Sequence, residues 1–151
     1  MRKEQLKQVF RLSRVPVKLW AQKKIEREAG RYYGFFDREK GYIVCSNEPS
    51  NIYKSGIILH EMGHAECMFK ECKCWTDRVQ TETHAQVFAL KKSIELKKYD
   101  VLKKCMQIVI DWAKVKNKKA YPEYIKASEK IMRKPIWKHC EKLLKENNET
   151  L

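Results

Sequence analysis

The sequence of 151 residues contains no long hydrophobic run. No stretch approaches the roughly 20 apolar residues that a membrane-spanning helix requires. The charged N-terminal residues 1–5 lack the apolar core of a signal peptide. No internal repeat or low-complexity linker divides the chain. These absences argue against an integral membrane protein and predict a single cytoplasmic domain spanning residues 1–151.

Six cysteines are present, but without the secretory signal that usually accompanies a disulfide framework. Three of them lie close together, at Cys67, Cys72 and Cys74. A small second zinc site or a redox pair are the alternatives for this cluster. Only Lys73 separates Cys72 from Cys74, which is a poor spacing for an ordinary structural site. We therefore expect reduced, unligated thiols.

Acidic residues are scarce relative to basic ones. The chain has 33 Lys and Arg against 19 Asp and Glu, a formal net charge of +14. Residues 1–30 carry 9 basic and 3 acidic side chains and residues 91–151 carry 17 and 8, whereas residues 31–90 carry 7 and 8. Such basic flanks can contact nucleic acid or an acidic protein, or they can be a solvated surface. No base-reading motif is visible, so any nucleic-acid contact should be nonspecific.

The hydrophobic pattern predicts a helix-dominated α+β fold. A basic amphipathic helix over residues 3–12 is followed by a second predicted helix over residues 17–28. Residues 31–36 and 42–45 predict a β-hairpin in a small sheet, and residues 42–47 are the candidate edge strand for an extended peptide. The alternative is that both strands only pack the core. The remaining pattern is helical, over residues 52–69, 78–97, 99–116, 121–132 and 135–147.

One short motif predicts a metal site. Residues 60–64 read His-Glu-Met-Gly-His, an H-E-x-x-H pattern within an apolar predicted helix. On a helix with 3.6 residues per turn, His60 and His64 are about 40° apart, so both imidazoles can reach one ion. Glu61 points about 100° away from His60 and can act on water without being a ligand. Gly63 lowers helix propensity by about 1 kcal/mol relative to Ala, and a glycine here makes sense if another backbone passes close to the metal at this point of the helix.

A catalytic zinc site needs a third protein ligand, and the next predicted helix offers one. Glu82 lies on the same face as Ala85, Phe88 and Ala89, which can pack against the first helix. His84 is the competitor because histidine is a common zinc ligand, but it lies about 160° away from Glu82 around the helix. We predict Glu82 as the third ligand and expect His84 to flank the cleft.

These two motifs resemble those of the ImmA/IrrE-type metallopeptidases, small zincins of the gluzincin kind. The resemblance covers roughly residues 31–96, and its matching residues are His60, Glu61, Gly63, His64, Ala65, Glu82, Ala85, Phe88 and Ala89. It implies a minimal zincin with a small sheet beside the H-E-x-x-H helix. It also implies Zn²⁺ bound by His60, His64 and Glu82, with Glu61 as the catalytic carboxylate. After Leu90 the sequence departs from the family, so substrate contacts do not carry over.

The resemblance suggests a division of the single zincin-like domain. Basic N-terminal helices occupy residues 1–30, the metal core residues 31–96, and a basic helical part residues 97–151. The expected function is a zinc-dependent metallopeptidase that cleaves an intracellular protein or peptide. The resemblance further implies a regulatory protease of a virus or mobile element, acting in the cytoplasm or host cytoplasm.

Other interpretations remain open. The first is a non-catalytic zincin-fold protein that contacts nucleic acid or a protein partner through its basic helices. Glu61 argues against it, because zinc binding does not require that carboxylate. The second is a zinc hydrolase acting on a non-peptide amide. The third is a buried helix that binds no metal and whose two histidines are only hydrogen-bonded. It is disfavoured because an unpaired Glu61 would be costly to bury in so apolar a helix. The candidate donors for stabilising an oxyanion are Tyr53, His84, Tyr121, Tyr124 and His139.

Overall fold

The computed structural model describes residues 3–151, and within this range it contains seven α-helices and one three-stranded sheet. The helix-dominated α+β class predicted from the sequence is therefore confirmed. A short 3₁₀ turn, Lys73–Thr76, connects α3 to α4. The elements are α1 Lys3–Leu12, β1 Val17–Trp20, α2 Gln22–Glu28, β2 Gly34–Asp37, β3 Tyr42–Ser46, α3 Asn51–Phe69, α4 Arg78–Glu95, α5 Tyr99–Ala113, α6 Pro122–Met132 and α7 Pro135–Glu146.

The helix predicted over residues 17–28 is wrong in its first part. Residues Val17–Trp20 form strand β1, which pairs in parallel with β3, and the helix α2 begins only at Gln22. The pairing starts at Pro16, whose carbonyl accepts a hydrogen bond from the main-chain N–H of Ile43. A buried strand such as β3 needs main-chain partners on both sides, and this demand overrides the weak local preference of a four-residue segment.

The parallel pairing also corrects the predicted edge strand. The strand order is β1-β3-β2, so residues 42–47 include the central strand and cannot add a peptide at an edge. The predicted hairpin exists, with β2 antiparallel to β3 in a register that pairs Phe36 with Ile43. The strand with an open edge beside the H-E-x-x-H helix is β2, residues Gly34–Asp37.

The core is organised around α3, which contacts α1, α4, α5 and the sheet. Ser50 caps the start of this helix by accepting a hydrogen bond from the N–H of Tyr53. One continuous apolar cluster extends from Leu6 in α1 to Leu144 in α7. Among the helices of residues 3–151, none combines the length and apolar character that crossing a bilayer requires.

Helices α3 and α4 approach each other closely at Gly63 of α3. A Cβ atom added there would lie 2.7 Å from Cα and 2.8 Å from the carbonyl oxygen of Ala85 in α4. Both distances are far below ordinary van der Waals contact. The expectation that another backbone passes close to Gly63 is therefore confirmed. The two helices approach at a small-residue seam, where Ala85 and Ala89 are completely buried.

We predict that Gly63→Ala lowers the free energy of unfolding by about 1–3 kcal/mol, the usual effect of overpacking a dense core. The gain of about 1 kcal/mol in helix propensity is outweighed because the clash involves backbone atoms that cannot rotate away. Urea unfolding followed by circular dichroism measures this change.

The matched control is Gly56→Ala in the same helix, where an added Cβ meets only the Cys105 Sγ atom at 3.3 Å. It should be clearly less destabilising than Gly63→Ala. Equal stability of the Gly63→Ala variant and the wild type would contradict the close-packed crossing.

Candidate metal centre

Three of the predicted site residues converge at the crossing of α3 and α4. His60 Nε2 lies 3.2 Å from His64 Nε2 and 3.0 Å from Glu82 Oε2. His64 Nε2 lies 3.4 Å from Glu82 Oε1. The histidines come from successive turns of α3, and Glu82 comes from the second turn of α4. The side chains predicted as metal ligands are thus brought together at one point.

Gln86 determines how His60 is oriented. Its Nε2 donates to the main-chain carbonyl of Cys105 at 3.0 Å, so its Oε1 faces His60 Nδ1 at 2.7 Å. An amide oxygen can only accept, and therefore Nδ1 of His60 carries the proton. In neutral His60 the Nε2 lone pair is then directed toward His64 and Glu82. This arrangement is the usual support for a metal-binding histidine.

The convergence of these groups fits a metal ion. Neutral imidazoles and a carboxylate are all electron-pair donors, and donors packed this closely repel one another without a cation among them. Ligands bound at about 2.0–2.1 Å in tetrahedral geometry lie about 3.3 Å apart, which matches the separations of 3.0–3.4 Å. Glu82 Oε2 is buried and has no aligned hydrogen-bond donor in the described chain, despite its contact with His60. This donor set suits Zn²⁺.

The short distances between the two histidines and Glu82 also shift the pKa values of these groups in the absence of a metal ion. Burial lowers the pKa of His60, but the Glu82 carboxylate, 3.0 Å away, favours the protonated ring, outweighs this effect and raises the pKa to about 9. Burial raises the pKa of Glu82, but the two histidines outweigh it and hold that pKa well below its usual range. The site therefore attracts positive charge strongly, whether a proton or a metal ion supplies it.

Glu61 lies close to the same point, with a carboxylate oxygen within 4.8 Å of ring nitrogens of His60 and His64. Its carboxylate is buried, which raises its pKa, and it accepts a hydrogen bond from the main-chain N–H of Phe36 in β2. The positive charges of His64 and His60 lower the pKa of Glu61 and so oppose the effect of burial. Glu61 thus lies between the histidines and the open edge of the sheet, and it lines the adjacent cleft.

Two cavities meet at the site. A cleft of about 700 Å³ runs from β2 across His60, Glu61 and His64 toward the end of α3. A second pocket of about 320 Å³ adjoins the opposite side and reaches the core. The side chains of His60, Glu61, Glu82 and Tyr124 border both cavities. The second pocket has mostly apolar walls, which include Ile57, Ile108, Val109, Trp112 and Ile131.

The structure separates the five candidate oxyanion donors. Tyr124 borders both cavities, and its pKa is raised by burial and by the charges of Glu82 and Glu61. Its ring stacks on Trp112 with centroids 5.0 Å apart. Tyr53 lines only the apolar pocket. Neither Tyr121, which is exposed, nor His139 of α7 lines either cavity.

His84 does not approach the histidine pair. It lies on the other side of α4 from Glu82, and its Nδ1 faces the thiols of Cys67 and Cys72 at 3.8 and 3.7 Å. The 160° separation from Glu82 around the helix explains this placement. Gln86 was missed from the sequence, although its position one turn after Glu82 puts it on the same helix face.

Comparison with known protein families, with curated proteins and with solved structures finds no match. The resemblance to ImmA/IrrE-type metallopeptidases therefore depends on the motif residues alone. The geometry of the described site is the independent basis for assigning a function.

Proposed function

We propose that this protein is a zinc-dependent metallopeptidase. The observation that carries the proposal is the convergence of His60, His64 and Glu82 on one point, with Glu61 beside them at the floor of an open cleft. Three protein ligands leave one coordination position free, as catalytic zinc sites require. A structural site would be closed by a fourth protein ligand. The Glu61 carboxylate has an oxygen within 4.8 Å of the ligand nitrogens of both histidines, and the proposal assigns this carboxylate to the attacking water and not to the ion.

The chain supplies the groups for peptide hydrolysis. When bound, a zinc ion provides Lewis-acid chemistry, since it polarises a carbonyl and lowers the pKa of water toward about 7. The Glu61 carboxylate accepts a proton from the attacking water and delivers it to the leaving amine. The Tyr124 hydroxyl borders the same space and donates a hydrogen bond to the oxyanion that develops on the scissile carbonyl.

The edge of β2 is suited to hold an extended substrate. Tyr33 directs its carbonyl toward β3, where it accepts from the N–H of Ser46. The N–H and C=O groups of successive residues point to opposite sides of a strand. Those of Gly34 and Phe36 therefore point away from β3, toward the cleft that these two residues line. Because the Phe36 N–H is engaged with the Glu61 carboxylate, a peptide pairs with the remaining main-chain groups of this edge and lies beside Glu61.

The apolar pocket gives the substrate preference. Its walls of Ile57, Ile108 and Trp112 begin directly behind His60 and Glu82. A side chain next to the scissile bond can enter it and bury apolar surface, which stabilises binding by about 25 cal/mol per Å². We therefore propose cleavage of a protein or peptide beside a large apolar residue. The family resemblance adds the proposal of a regulatory protease of a virus or mobile element that acts in the cytoplasm.

A second role is favoured by the loop between α5 and α6. Lys114, Lys116, Lys118 and Lys119 are all exposed there, beside the aromatic cluster of Trp112, Tyr121 and Tyr124. Basic groups next to stacking rings are the features that bind nucleic acid without sequence preference. We propose nonspecific nucleic-acid contact through this loop, either in support of proteolysis or as the function of a non-catalytic binding protein.

We predict that Glu82→Ala abolishes tight zinc binding at the histidine pair. The loss should exceed the roughly 10–100-fold weakening that removal of a supporting group causes. Gln86→Ala removes such a group and should fall within that range. Competition with a chromophoric chelator measures the affinity, and the same titration of the His60→Ala/His64→Ala variant gives the contribution of any other zinc-binding group.

The matched control is Glu66→Ala, which removes a partly buried carboxylate of α3 that pairs with Arg14 and Lys70. It should bind zinc like the wild type. Wild-type affinity in the Glu82→Ala variant would remove Glu82 from the ligand set.

We predict that Glu61→Gln retains zinc and folding but loses roughly 10²–10⁴-fold in peptide cleavage, because an amide cannot accept the proton. Tyr124→Phe should lose roughly 10²–10³-fold in kcat, the typical effect of removing one oxyanion donor. A peptide library digested with each protein and sequenced by mass spectrometry gives both rates and the preferred side chain.

Tyr121→Phe is the matched control for Tyr124→Phe, because it removes an exposed hydroxyl from the same aromatic cluster. Its cleavage rate should equal that of the wild type. In producing cells, the substrate should disappear with the wild type and co-purify intact with Glu61→Gln. If the wild type and Glu61→Gln co-purify with the same intact partners and neither cleaves the peptide library, the protein is a non-catalytic binding protein.

We predict that nucleic-acid affinity falls linearly with salt on a log–log plot, with a slope of about 0.9 per phosphate contact on duplex DNA. Reversing the charges of Lys114, Lys116 and Lys119 should flatten this slope without changing the zinc content. Lys138→Glu and Lys142→Glu in α7 serve as the control at a distant exposed surface. No binding at low salt would indicate that these basic residues only form a solvated surface.

A further inference from the structure

A second group of metal-ligand side chains lies at the far end of the cleft. The ligand atoms of Cys67, Cys72, Cys74 and His84 all lie within 4.8 Å of one another. None of these residues belongs to the histidine pair or contacts Glu82. The six cysteines of the chain are all free of disulfide bonds. The sequence pattern had instead favoured unligated thiols here, because of the short spacing between Cys72 and Cys74.

The backbone of the α3–α4 connection brings these four side chains together. Cys67 is in the last turn of α3, and Glu71 adopts a left-handed conformation with φ of +52° that turns the chain back. The N–H of Cys72 then donates to the carbonyl of Cys67 at 2.9 Å. Cys72 is extended whereas Cys74 lies in the 3₁₀ turn, and this change of backbone direction lets both thiols face His84.

The separations fit a single zinc ion. With Zn–S of about 2.3 Å and Zn–N of about 2.0–2.1 Å, tetrahedral geometry places sulfur and nitrogen ligands about 3.6 Å apart and two sulfurs about 3.8 Å apart. The distances from His84 Nδ1 to the sulfurs of Cys67 and Cys72 are 3.8 and 3.7 Å. Small side-chain adjustments bring the remaining atoms to these values.

The charges around the cluster also suit a thiolate-bound metal. Three thiolates, one neutral imidazole and Zn²⁺ carry a net charge of −1. Lys130 and Lys134 lie close enough to His84 for their charges to act on it. No carboxylate belongs to this described cluster, and the neighbouring basic side chains offset its negative charge.

We propose that Cys67, Cys72, Cys74 and His84 form a structural zinc site that fastens the connection between α3 and α4. Four protein ligands close the coordination sphere, so this site stabilises the fold and does not bind substrate. Three of its ligands, all except His84, also line the cleft, and the ion therefore fixes the wall opposite β2. The proposal uses none of the residues that carry the peptidase assignment.

Cobalt substitution tests the proposal, since thiolate-bound Co²⁺ gives an intense charge-transfer absorption that nitrogen and oxygen ligands do not give. The wild type, purified with a reductant and loaded with Co²⁺, should show this band. Zinc analysis of the parallel preparation should give two ions per chain. The double variant His60→Ala/His64→Ala should lose one ion and keep the band.

Two variants address the cluster directly. Cys72→Ser and His84→Ala alter partly or fully exposed side chains and should fold. Each should bind about one zinc per chain fewer, or bind it at least 10-fold more weakly, and Cys72→Ser should lose most of the charge-transfer intensity. The matched control is Cys140→Ala, which removes a buried thiol of α7 and should keep both the band and the stoichiometry.

A stability measurement distinguishes a structural site from weak surface binding. Zinc in excess should raise the melting temperature of His60→Ala/His64→Ala by roughly 5–10 °C, and Cys72→Ser in the same background should remove the shift. No charge-transfer band in the reduced wild type would overturn the proposal. A disulfide among the three cysteines that persists under reductant would overturn it as well.

Discussion

The closeness of α3 and α4 at Gly63 is the constraint on which the site depends. Packed helices normally lie 8–10 Å apart, with side chains filling the space between them. Here a Cβ on residue 63 would lie only 2.7 Å from the Cα of Ala85. Glu82, one turn earlier on the same face of α4, is consequently brought within 3.4 Å of both histidines. A wider crossing would leave the carboxylate out of reach of the two histidines and bury it without a partner.

The features that can be predicted from the sequence are those that depend on the spacing of residues within a single helix. The spacing of His60 and His64 is a property of one helix, and the alignment of Glu82 with Ala85 and Ala89 is a property of another. The helix of residues 17–28 was wrong because β1 is only four residues long and exists through pairing with β3, which is remote in sequence. The misplaced edge strand follows from that single error, since adding β1 moves β3 to the centre of the sheet.

The supporting residues depend on tertiary structure in the same way. Gln86 can be assigned a role only when its amide is seen between Cys105 and His60. Tyr124 could not be separated from four other donors until α6 was packed beside the cleft. The convergence of Cys67, Cys72, Cys74 and His84 could not be predicted from the sequence, because spacing rules assume a regular metal-binding turn. In this chain the left-handed Glu71 and the 3₁₀ turn take the place of such a regular turn, and neither gives a recognisable periodic pattern in the sequence.

The two proposed metal centres share the same pair of helices, and this would give the second centre a mechanical role. Glu82 lies in the second turn of α4, close to a helix end where main-chain hydrogen bonds are incomplete. That end is held by the Asp77 cap and by a hydrogen bond from Thr81 Oγ1 to the Cys74 carbonyl. An ion bound by Cys74 and His84 would join the turn to the helix directly. The fixed end would then keep Glu82 aligned with the histidines, as preorganised metal sites require.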